Sequence, residues 1–567
     1  MTRQKHLDLT ILIVSFALVG LYEASGGGGF PLDDSWIHQG YARNLAEHGE
    51  WSLAPGAPSA ATTSPLFVVL LAIGYKLGVA YPLWSFALGA AALALLGMLM
   101  ARMSVRFCSW NAGWSWLPPA LTLGTWHLLW SAVAGMETIV FCLLTTALVY
   151  WAWRIFLGRS SALSSGHAIT LGLLSGLVTL TRPEGMLLSA LVLVSVIASE
   201  ASPVSVNRVA HATSTLTILR ERGRPFRCRR AAPLKAKPFA TGIKSQADLG
   251  GATAVKLRKT TFARLVVYSS IALLTFAVIV FPYVYFNWTL TGSLLPSSVT
   301  AKLQQQQLLL GAPILSRILS IMVPVCAGAQ FLVLPGLAVY TWLAARGRCR
   351  LPTLIAILPL VWVAALVLLY AARLPAAYQH GRYMIPILPP IVLCGGIGLA
   401  YAMNNLRSRR FSRILSRTWL GATLSCGAVF TLAVGPVVFR DDVAIVNEEM
   451  VRTAKWISAN VAQDDLVAGH DIGAFGYFAR RGILDLAGLL SPEIIPILRD
   501  TEAVWALLES RDVQVLFAFP DQIPGGTGAD KRLCRVFSTG GRAALDAGGQ
   551  NMAVYRLDWR GDCPQAG

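Results

Sequence analysis

The chain is dominated by repeated apolar stretches, each close to the ~20 residues that a helix needs to cross the hydrocarbon core of a membrane. The first runs from Leu9 to Tyr22 behind Arg3 and Lys5. It resembles a signal peptide, but no convincing small-residue cleavage site precedes Ser25, so we interpret it as an uncleaved first span. The other stretches lie near 82–101, 112–132, 137–156, 167–181, 184–199, 264–286, 317–343, 352–372, 383–402 and 418–438.

Composition supports this interpretation. Hydrophobic residues make up 55% of the chain and charged residues 14%, whereas an ordinary soluble domain has about 45–50% and about 25%. These values exclude a soluble enzyme, a disordered protein and an ordinary nucleic-acid-binding domain, and they predict an α-helical polytopic membrane protein. The cysteines form no CxxC pair, so neither a metal knuckle nor a disulfide framework is indicated.

The distribution of Lys and Arg predicts the topology. The stretch 65–78 is apolar but too short to be a secure span, and we interpret it as a helix in the membrane interface. If the chain starts in the cytoplasm and 65–78 does not cross, 28 basic residues before residue 440 are cytoplasmic and seven are outside. This bias predicts eleven spans, a cytoplasmic N-terminus and an extracytoplasmic C-terminus.

Two regions differ in character from the spans. Residues 200–264 contain fourteen basic and three acidic residues, which predicts a cytoplasmic loop that is either a solvated linker or a contact for anionic lipid headgroups. Residues 440–567 contain thirteen basic and eighteen acidic residues. The sequence therefore predicts a transmembrane domain over 1–439 and an extracytoplasmic domain over 440–567.

The extracytoplasmic domain combines helical and strand patterns. A helix is predicted over 443–461 and another over 500–511. Short apolar runs lie at Leu466–Ala468, Gly482–Leu486, Val513–Ala518, Leu533–Phe537 and Met552–Leu557. This alternation predicts a small α/β domain. Cys534 and Cys563 either form a disulfide there or remain free thiols.

The first external loop is the most polar stretch near the membrane and begins PLDDSWIHQG. Asp33 and Asp34 are adjacent just past the first span, where repulsion and partial desolvation raise a carboxyl pKa and suit it to act as a general base. The alternative is that one of them caps the helix that follows. His38 and Arg43 on that helix are further candidates for substrate binding.

Other external turns carry charges at the ends of spans, where charged groups are costly and usually face a cavity or a partner. The candidate binding residues there are Glu137, Arg182, Glu184, Lys302, His380 and Arg382. Any single Arg can instead extend its charged end to the interface. Carboxylates facing Arg, Lys and His suit phosphate chemistry, with a base on one side and cations on a leaving phosphate on the other.

Several motifs together resemble the GT-C superfamily of bacterial membrane glycosyltransferases. They are the first external loop, AGMETIVF (134–141), LTRPEGMLL (180–188), PYVYFNWTLTGSLLPSSVTAK (282–302), RYMIPILPPIVLCGG (382–396) and HDIGAFGYFARRGILDLAGLLSPE (470–493). The order is similar to that in the branch with mycobacterial terminal arabinofuranosyltransferases and protein mannosyltransferase-like relatives. The loop 200–264 resembles an insertion.

The resemblance implies a polyprenyl-phosphate-linked sugar as donor and transfer outside the cytoplasm. It assigns the catalytic base to Asp33 or Asp34, with a slight preference for Asp33, and the lipid phosphate to Arg182, Lys302 and Arg382. It leaves open a divalent cation as a cofactor, because only some members need one. A glycan, a lipid or a protein is the expected acceptor, which the outer domain either holds or only covers.

The predicted location is the bacterial plasma membrane, with membrane lipids as partners and no nucleic acid. A transporter or flippase of lipid-linked sugars is the alternative function. Such proteins more often show broken helices near the midplane and repeated halves. The sequence has no internal repeat, and its motif-rich loops lie at one membrane face.

Overall fold

The structure, a computed structural model, describes residues 2–107, 113–157, 163–201, 246–294, 296–405, 410–526, 530–561 and 563. Most of the predicted loop 200–264 lies outside the described residues. Its last part differs from the prediction, because a helix starts at Gln246 and continues to Thr291. Once an apolar span has nucleated a helix, extending it into a flanking segment is far less costly than starting a new one.

Sixteen helices form the described membrane part and its entry into the outer domain. In chain order they are α1 (Thr2–Gly26), α2 (Asp33–His48), α3 (Pro65–Lys76), α4 (Tyr81–Phe107), α5 (Leu117–Leu123), α6 (Trp126–Val133), α7 (Thr138–Leu157), α8 (Ser165–Thr181), α9 (Gly185–Ala201), α10 (Gln246–Thr291), α11 (Ser297–Gln305), α12 (Ile314–Cys326), α13 (Leu334–Ala345), α14 (Thr353–Arg373), α15 (Leu388–Asn405) and α16 (Arg410–Asn460).

Seven helices in the described part of the chain are long and apolar enough to cross a membrane, or eight if α12 and α13, which meet at 108°, form one span. The three other predicted spans are present as shorter helices. The stretch 112–132 is divided between α5 and α6, and α8 and α9 have 17 residues each. The predicted fold class is confirmed, and the count of eleven spans stays a prediction.

Helix α3 has 12 residues and is therefore about 18 Å long. The hydrocarbon core is about 30 Å thick, so α3 cannot cross it. This agrees with the exclusion of 65–78 from the spans.

Small residues allow the membrane helices to approach closely. A Cβ atom on Gly398 of α15 would lie 1.9 Å from the carbonyl oxygen of Gly336 on α13. Only glycine permits such contact, and close backbone approach is a major source of helix association in membranes.

Helix α16 connects the membrane part to the outer domain without a break. It has 51 residues, so the predicted domain boundary at 439/440 falls inside it and the predicted helix over 443–461 is its last part. Glu449 of α16 is fully buried and accepts hydrogen bonds from the backbone N–H of Met552 at 2.7 Å and from Asn551 Nδ2 at 2.9 Å. These bonds fix the end of α16 against the outer sheet.

All five predicted apolar runs of the outer domain form strands. They are β1 (Val467–Gly469), β2 (Ile483–Asp485), β3 (Val515–Ala518), β4 (Leu533–Ser538) and β5 (Ala553–Leu557). The strand order is β2-β1-β3-β5-β4, with β1 parallel to β2 and β3, and β5 antiparallel to β3 and β4. Helix α17 (Ile472–Phe478) follows β1, and the predicted helix 500–511 is α18 (Thr501–Ser510). Cys534 and Cys563 form a disulfide.

The outer domain contacts the first external loop through α2 and α17. The ring of Trp36 on α2 lies 4.7 Å from that of Phe478 and 5.0 Å from that of Tyr477, both on α17. At the start of α17, a Cβ atom on Gly473 would lie 2.0 Å from the backbone oxygen of Asp33. Glycine at this position therefore lets the two helices touch.

Gly473→Ala is expected to lower the free energy of unfolding by about 1–3 kcal/mol, the usual cost of overpacking a close contact. The measurement is denaturant unfolding of the full chain in detergent micelles. Gly482→Ala is the matched control, since a Cβ atom there would meet nothing within 4 Å. Equal stability of the two variants would contradict the proposed close approach of α17 to α2.

Candidate active site

A cavity of about 560 Å³ opens between α2, α11, α14 and the turn that joins α8 to α9. Much of its wall is apolar, and its polar wall includes ten ionisable side chains. Those are Asp34, His38, Glu137, Arg182, Glu184, Lys302, Tyr370, Arg373, Arg382 and Tyr383. Seven of the ten predicted site residues therefore meet in one cavity, although they come from five separate segments of the chain.

Asp34 is the centre of the first group of charges. Its Oδ2 atom lies 2.6 Å from Arg382 Nη2 and 3.2 Å from Lys302 Nζ. Arg382 Nη2 also donates to the hydroxyl of Tyr383 at 3.1 Å. Arg382 Nη1 is buried and has no hydrogen-bond partner among the described residues.

The electrostatic environment keeps Asp34 ionised. Burial alone would raise the pKa of its carboxyl, but the positive charges of Lys302 and Arg382 outweigh burial and hold that pKa well below its usual range. Two cations against one carboxylate leave this part of the cavity with a net positive charge, which suits an anionic ligand.

Arg182 is the centre of the second group. Its Nη1 lies 3.4 Å from Glu137 Oε1, and its Nη2 lies 2.8 Å from Glu184 Oε1. Arg182 Nη2 also donates to the hydroxyl of Tyr370 at 2.9 Å, and that hydroxyl donates to Glu184. His38 Nε2 lies 3.3 Å from Glu137 Oε2. This network joins α2, the start of α7, the α8–α9 turn and α14.

Glu137 is ionised despite its burial. Desolvation would raise the pKa of its carboxyl, but the hydrogen bond from His38 and the charge of Arg182 lower that pKa to about 2. The second group therefore holds two carboxylates on one guanidinium, and its charge is opposite to that of the group around Asp34.

Asp33 does not line the cavity. Its carboxylate accepts the backbone N–H groups of Gly473 at 2.6 Å and Ala474 at 2.8 Å, at the start of α17. Neither Asp33 nor Asp34 caps α2, since the residue before that helix is Leu32 and no side chain closes its first turn. Asp33 does bond to the first turn of a helix, as a capping residue would, but that helix is α17 of the outer domain.

Arg43 also lies outside the cavity. Its guanidinium carbon stands 4.2 Å from the centre of the Tyr477 ring, and its side chain is buried between α2 and α17. Such stacking of a cation on an aromatic face stabilises the contact between the outer domain and the first external loop.

His380 supports the turn that carries Arg382. Residues 379–381 all have positive φ, an arrangement that costs free energy for residues other than glycine. His380 Nε2 lies 2.8 Å from Asp442 Oδ2, which also accepts from Trp130 Nε1 at 2.8 Å. The structure thus places His380 behind the cavity wall, where it anchors the turn to α16.

Comparisons with known proteins identify the architecture. Residues 442–555 match the family model of a domain of unknown function (DUF8728). A search of curated proteins returns no match to this sequence. Among solved structures, the chain is similar to ArnT from Cupriavidus metallidurans bound to undecaprenyl phosphate, with 11% identity, a TM-score of 0.54 and coverage of 98% of this chain and 99% of that one.

A second similar structure is the oligosaccharyltransferase of Archaeoglobus fulgidus in its apo form. It has 10% identity, a TM-score of 0.54 and coverage of 98% of this chain and 75% of that one. Both neighbours are GT-C membrane glycosyltransferases. The chain has the GT-C fold. The resemblance carried by the sequence motifs is thereby confirmed at the level of fold, and the chain is a multi-pass membrane protein.

Three ionisable residues of the cavity around Asp34 were not assigned from the sequence. Arg373 and Tyr383 are the first and last residues of a charged external segment, and this location could have indicated them from the sequence. Tyr370 gave none, because it lies within the apolar run of α14. Its contact with Arg182 depends on how α14 packs beside the α8–α9 turn.

The cavity around Asp34 does not offer the donor set that a resident divalent cation needs. No group of three or more His, Cys, Asp or Glu side chains in the described part of the chain is placed to hold a metal ion. Asp34 is already paired with two cationic side chains, and Arg182 bridges Glu137 and Glu184. The residues present therefore do not fit the divalent cation that the resemblance left open.

Asp33→Asn is expected to change the pH dependence of stability. Burial and the nearby Asp471 raise the pKa of Asp33 from 3.8 to about 7, although the two backbone N–H groups act in the other direction. A carboxyl whose pKa is raised by folding stabilises the fold at low pH, and this contribution is lost as the pH rises from about 4 to about 7. Unfolding of both proteins at pH 5 and pH 8 is the measurement.

The stability of the wild type relative to Asp33→Asn should be lower at pH 8 than at pH 5. Glu47→Gln is the control on the same helix, because Glu47 is exposed and pairs with Arg480 at the surface. If the stability of the wild type relative to Asp33→Asn is the same at both pH values, or higher at pH 8, the raised pKa of Asp33 is contradicted.

Proposed function

We propose that this protein transfers a sugar from a polyprenyl-phosphate donor to a hydroxyl group of an extracytoplasmic acceptor. The observation that carries the proposal is the arrangement of Asp34, Lys302 and Arg382 in one cavity. A base and two cations within contact of each other are what this transfer needs. ArnT was solved with undecaprenyl phosphate, and AglB from Archaeoglobus fulgidus with an inhibitory peptide and a dolichol phosphate.

Lys302 and Arg382 are proposed to hold the donor phosphate. Arg382 Nη1 is a buried donor without a protein partner in the described chain, and a phosphate oxygen would satisfy it. When a phosphate shares these two cations, they stabilise the Asp34 carboxylate less. The pKa of Asp34 then rises, and its carboxylate becomes a stronger base when the donor is bound.

Asp34 is proposed as that base, in place of the slight preference for Asp33. Its carboxylate removes the proton from the acceptor hydroxyl, and the oxygen attacks the anomeric carbon of the donor sugar. The bond from that carbon to the phosphate oxygen breaks, and polyprenyl phosphate leaves with its charge held by Lys302 and Arg382. Attack opposite the leaving group inverts the anomeric configuration.

The group around Arg182 is proposed to position the donor sugar. Carboxylates such as Glu137 and Glu184 accept hydrogen bonds from hydroxyl groups, and Arg182 and His38 donate them. Because these side chains also bond to each other, the site keeps its shape before the substrate binds. Preorganised groups of this kind stabilise the transition state without reorganising.

The apolar wall is proposed to receive the first part of the polyprenyl chain. It belongs to the same cavity as the charged groups, and its members include Met186, Leu187, Val299, Leu303, Leu369 and Leu374. The lipid would extend from here between the helices. The predicted bacterial plasma membrane, cytoplasmic N-terminus and extracytoplasmic domain are part of the proposal, and so is a glycan, lipid or protein as acceptor.

A flippase of lipid-linked sugars is the second candidate. The feature in its favour is the bend of 108° between α12 and α13, since broken helices are common in transporters. Transfer is favoured instead, because Asp34 lies in one cavity with Lys302 and Arg382.

The test is reconstitution of the full chain in liposomes with a panel of polyprenyl-phosphate sugars and candidate acceptors, with and without a chelator. Transfer predicts release of polyprenyl phosphate together with a new glycoside, and the donor set of the cavity predicts full activity in the chelator. Movement of lipid-linked sugar across the bilayer without consumption of donor would contradict the transferase function and support the flippase function.

A further inference from the structure

A second cavity, of about 370 Å³, lies in the outer domain. Polar side chains and a glycine pair account for much of its lining. They are Gln305, His470, Thr501, Asp521, Gln522 and Gly525–Gly526. None of these residues takes part in the transfer chemistry proposed above.

The second cavity lies at the carboxyl edge of the parallel strands. His470 directly follows β1, Leu486 directly follows β2, and Asp521 and Gln522 lie in the segment after β3. These three strands run parallel, so the segments that follow them meet at one edge of the sheet. In open sheets with parallel strands, this edge is where ligands bind.

Two segments of the chain contribute residues to both cavities. Helix α11 contributes Lys302 to the first cavity and Gln305 to the second. These residues are three positions apart, which corresponds to a rise of about 4.5 Å along the helix. The loop after β2 likewise contributes Leu489 to the first cavity and Leu486 to the second. A ligand beside Gln305 would therefore lie about one helix turn from Lys302, which contacts Asp34.

The lining offers both donors and acceptors of hydrogen bonds. Gln522 Nε2 donates to Asp471 Oδ2 at 2.9 Å and lies 3.3 Å from His470 Nδ1. Gly525 and Gly526 have positive φ, and with no side chains they leave the backbone open to a ligand. The lining residues within the described chain include no Lys and no Arg.

This chemistry selects among ligands. A phosphate or carboxylate would meet the carboxylate of Asp521, with His470 as the one possible cation among the described lining residues, whereas the hydroxyl groups of a neutral sugar match amide, imidazole and carboxylate groups. The volume falls in the range of about 300–1,000 Å³ typical of small-ligand sites. The cavity therefore suits a short segment of a glycan.

We propose that the second cavity is an acceptor subsite that binds a neutral carbohydrate segment and directs the acceptor hydroxyl across the last turn of α11 to Asp34. The subsite rests on the proposed function for its role in transfer. Binding of the carbohydrate itself can be measured without any transfer, so the two proposals can fail separately.

The experiment measures binding of fluorescently labelled neutral oligosaccharides, built from pentoses or hexoses, to the full chain in lipid nanodiscs. At least one is expected to bind, and Gln522→Ala is expected to weaken that binding at least 10-fold. Thr501→Tyr, which fills the cavity without removing Gln522, is expected to have the same effect. Glu502→Gln, on the same helix but outside the lining of the cavity, is the control and should bind within about threefold of the wild type.

Parallel transfer assays separate the two proposals. Asp34→Asn should bind the oligosaccharide but transfer a sugar to it about 10²–10⁴-fold more slowly than the wild type. If the wild type binds the oligosaccharide, both cavity variants bind it more weakly and no donor is ever consumed, the binding subsite is supported and the transferase function is contradicted. The subsite is overturned if no neutral oligosaccharide binds, if an acidic one binds more tightly, or if both cavity variants bind like the wild type.

Discussion

Asp34→Asn is expected to lower kcat about 10²–10⁴-fold, which is the usual contribution of a positioned general base. The amide cannot accept the proton of the acceptor hydroxyl, although it occupies nearly the same space. The donor KM should not rise, because Lys302 and Arg382 lose a competing carboxylate and remain available to the phosphate. The measurement is the steady-state rate of glycoside formation with saturating donor.

Two control variants on the same helix sharpen this result. Asp33→Asn should lower kcat less than 10-fold, because Asp33 bonds to the start of α17 and does not line the cavity. Glu47→Gln removes a carboxylate that pairs with Arg480 at the surface and should leave kcat unchanged. If kcat falls more in Asp33→Asn than in Asp34→Asn, Asp33 and not Asp34 is the catalytic base.

Arg182→Met is expected to lower the free energy of unfolding by about 3–5 kcal/mol, the range seen when one partner of a buried ion pair is removed. The side chain of Arg182 is 7% exposed and forms ion pairs with both Glu137 and Glu184. Methionine fills much of the volume but leaves two carboxylates buried without that cation. Denaturant unfolding in detergent micelles, at a pH where both carboxyls are ionised, is the measurement.

The origin of this loss can be tested with a rescue. Adding Glu137→Gln and Glu184→Gln to Arg182→Met should restore part of the stability, because no charge is then left buried without a partner. Arg373→Met is the matched control, since Arg373 lines the same cavity but is exposed. A loss in Arg182→Met that is no larger than in Arg373→Met would show that the network around Arg182 adds nothing to stability.

The fold could be predicted from the sequence because its signals are local. Apolar stretches of about 20 residues report membrane spans wherever they occur. The five short apolar runs of the outer domain all became strands, since each is bounded by polar or turn-forming residues. The helix start at Gln246 and the division of 112–132 into α5 and α6 were missed, because helix boundaries depend on packing as well as on composition.

The sequence by itself determined the class of protein and the set of charged residues from which the site is built. It could not choose between Asp33 and Asp34, because adjacent residues on a helix point about 100° apart. Which of them faces a cavity depends on what packs around α2. Only the tertiary structure decided this, since α17 of the outer domain covers Asp33 while Lys302 and Arg382, far away in sequence, meet at Asp34.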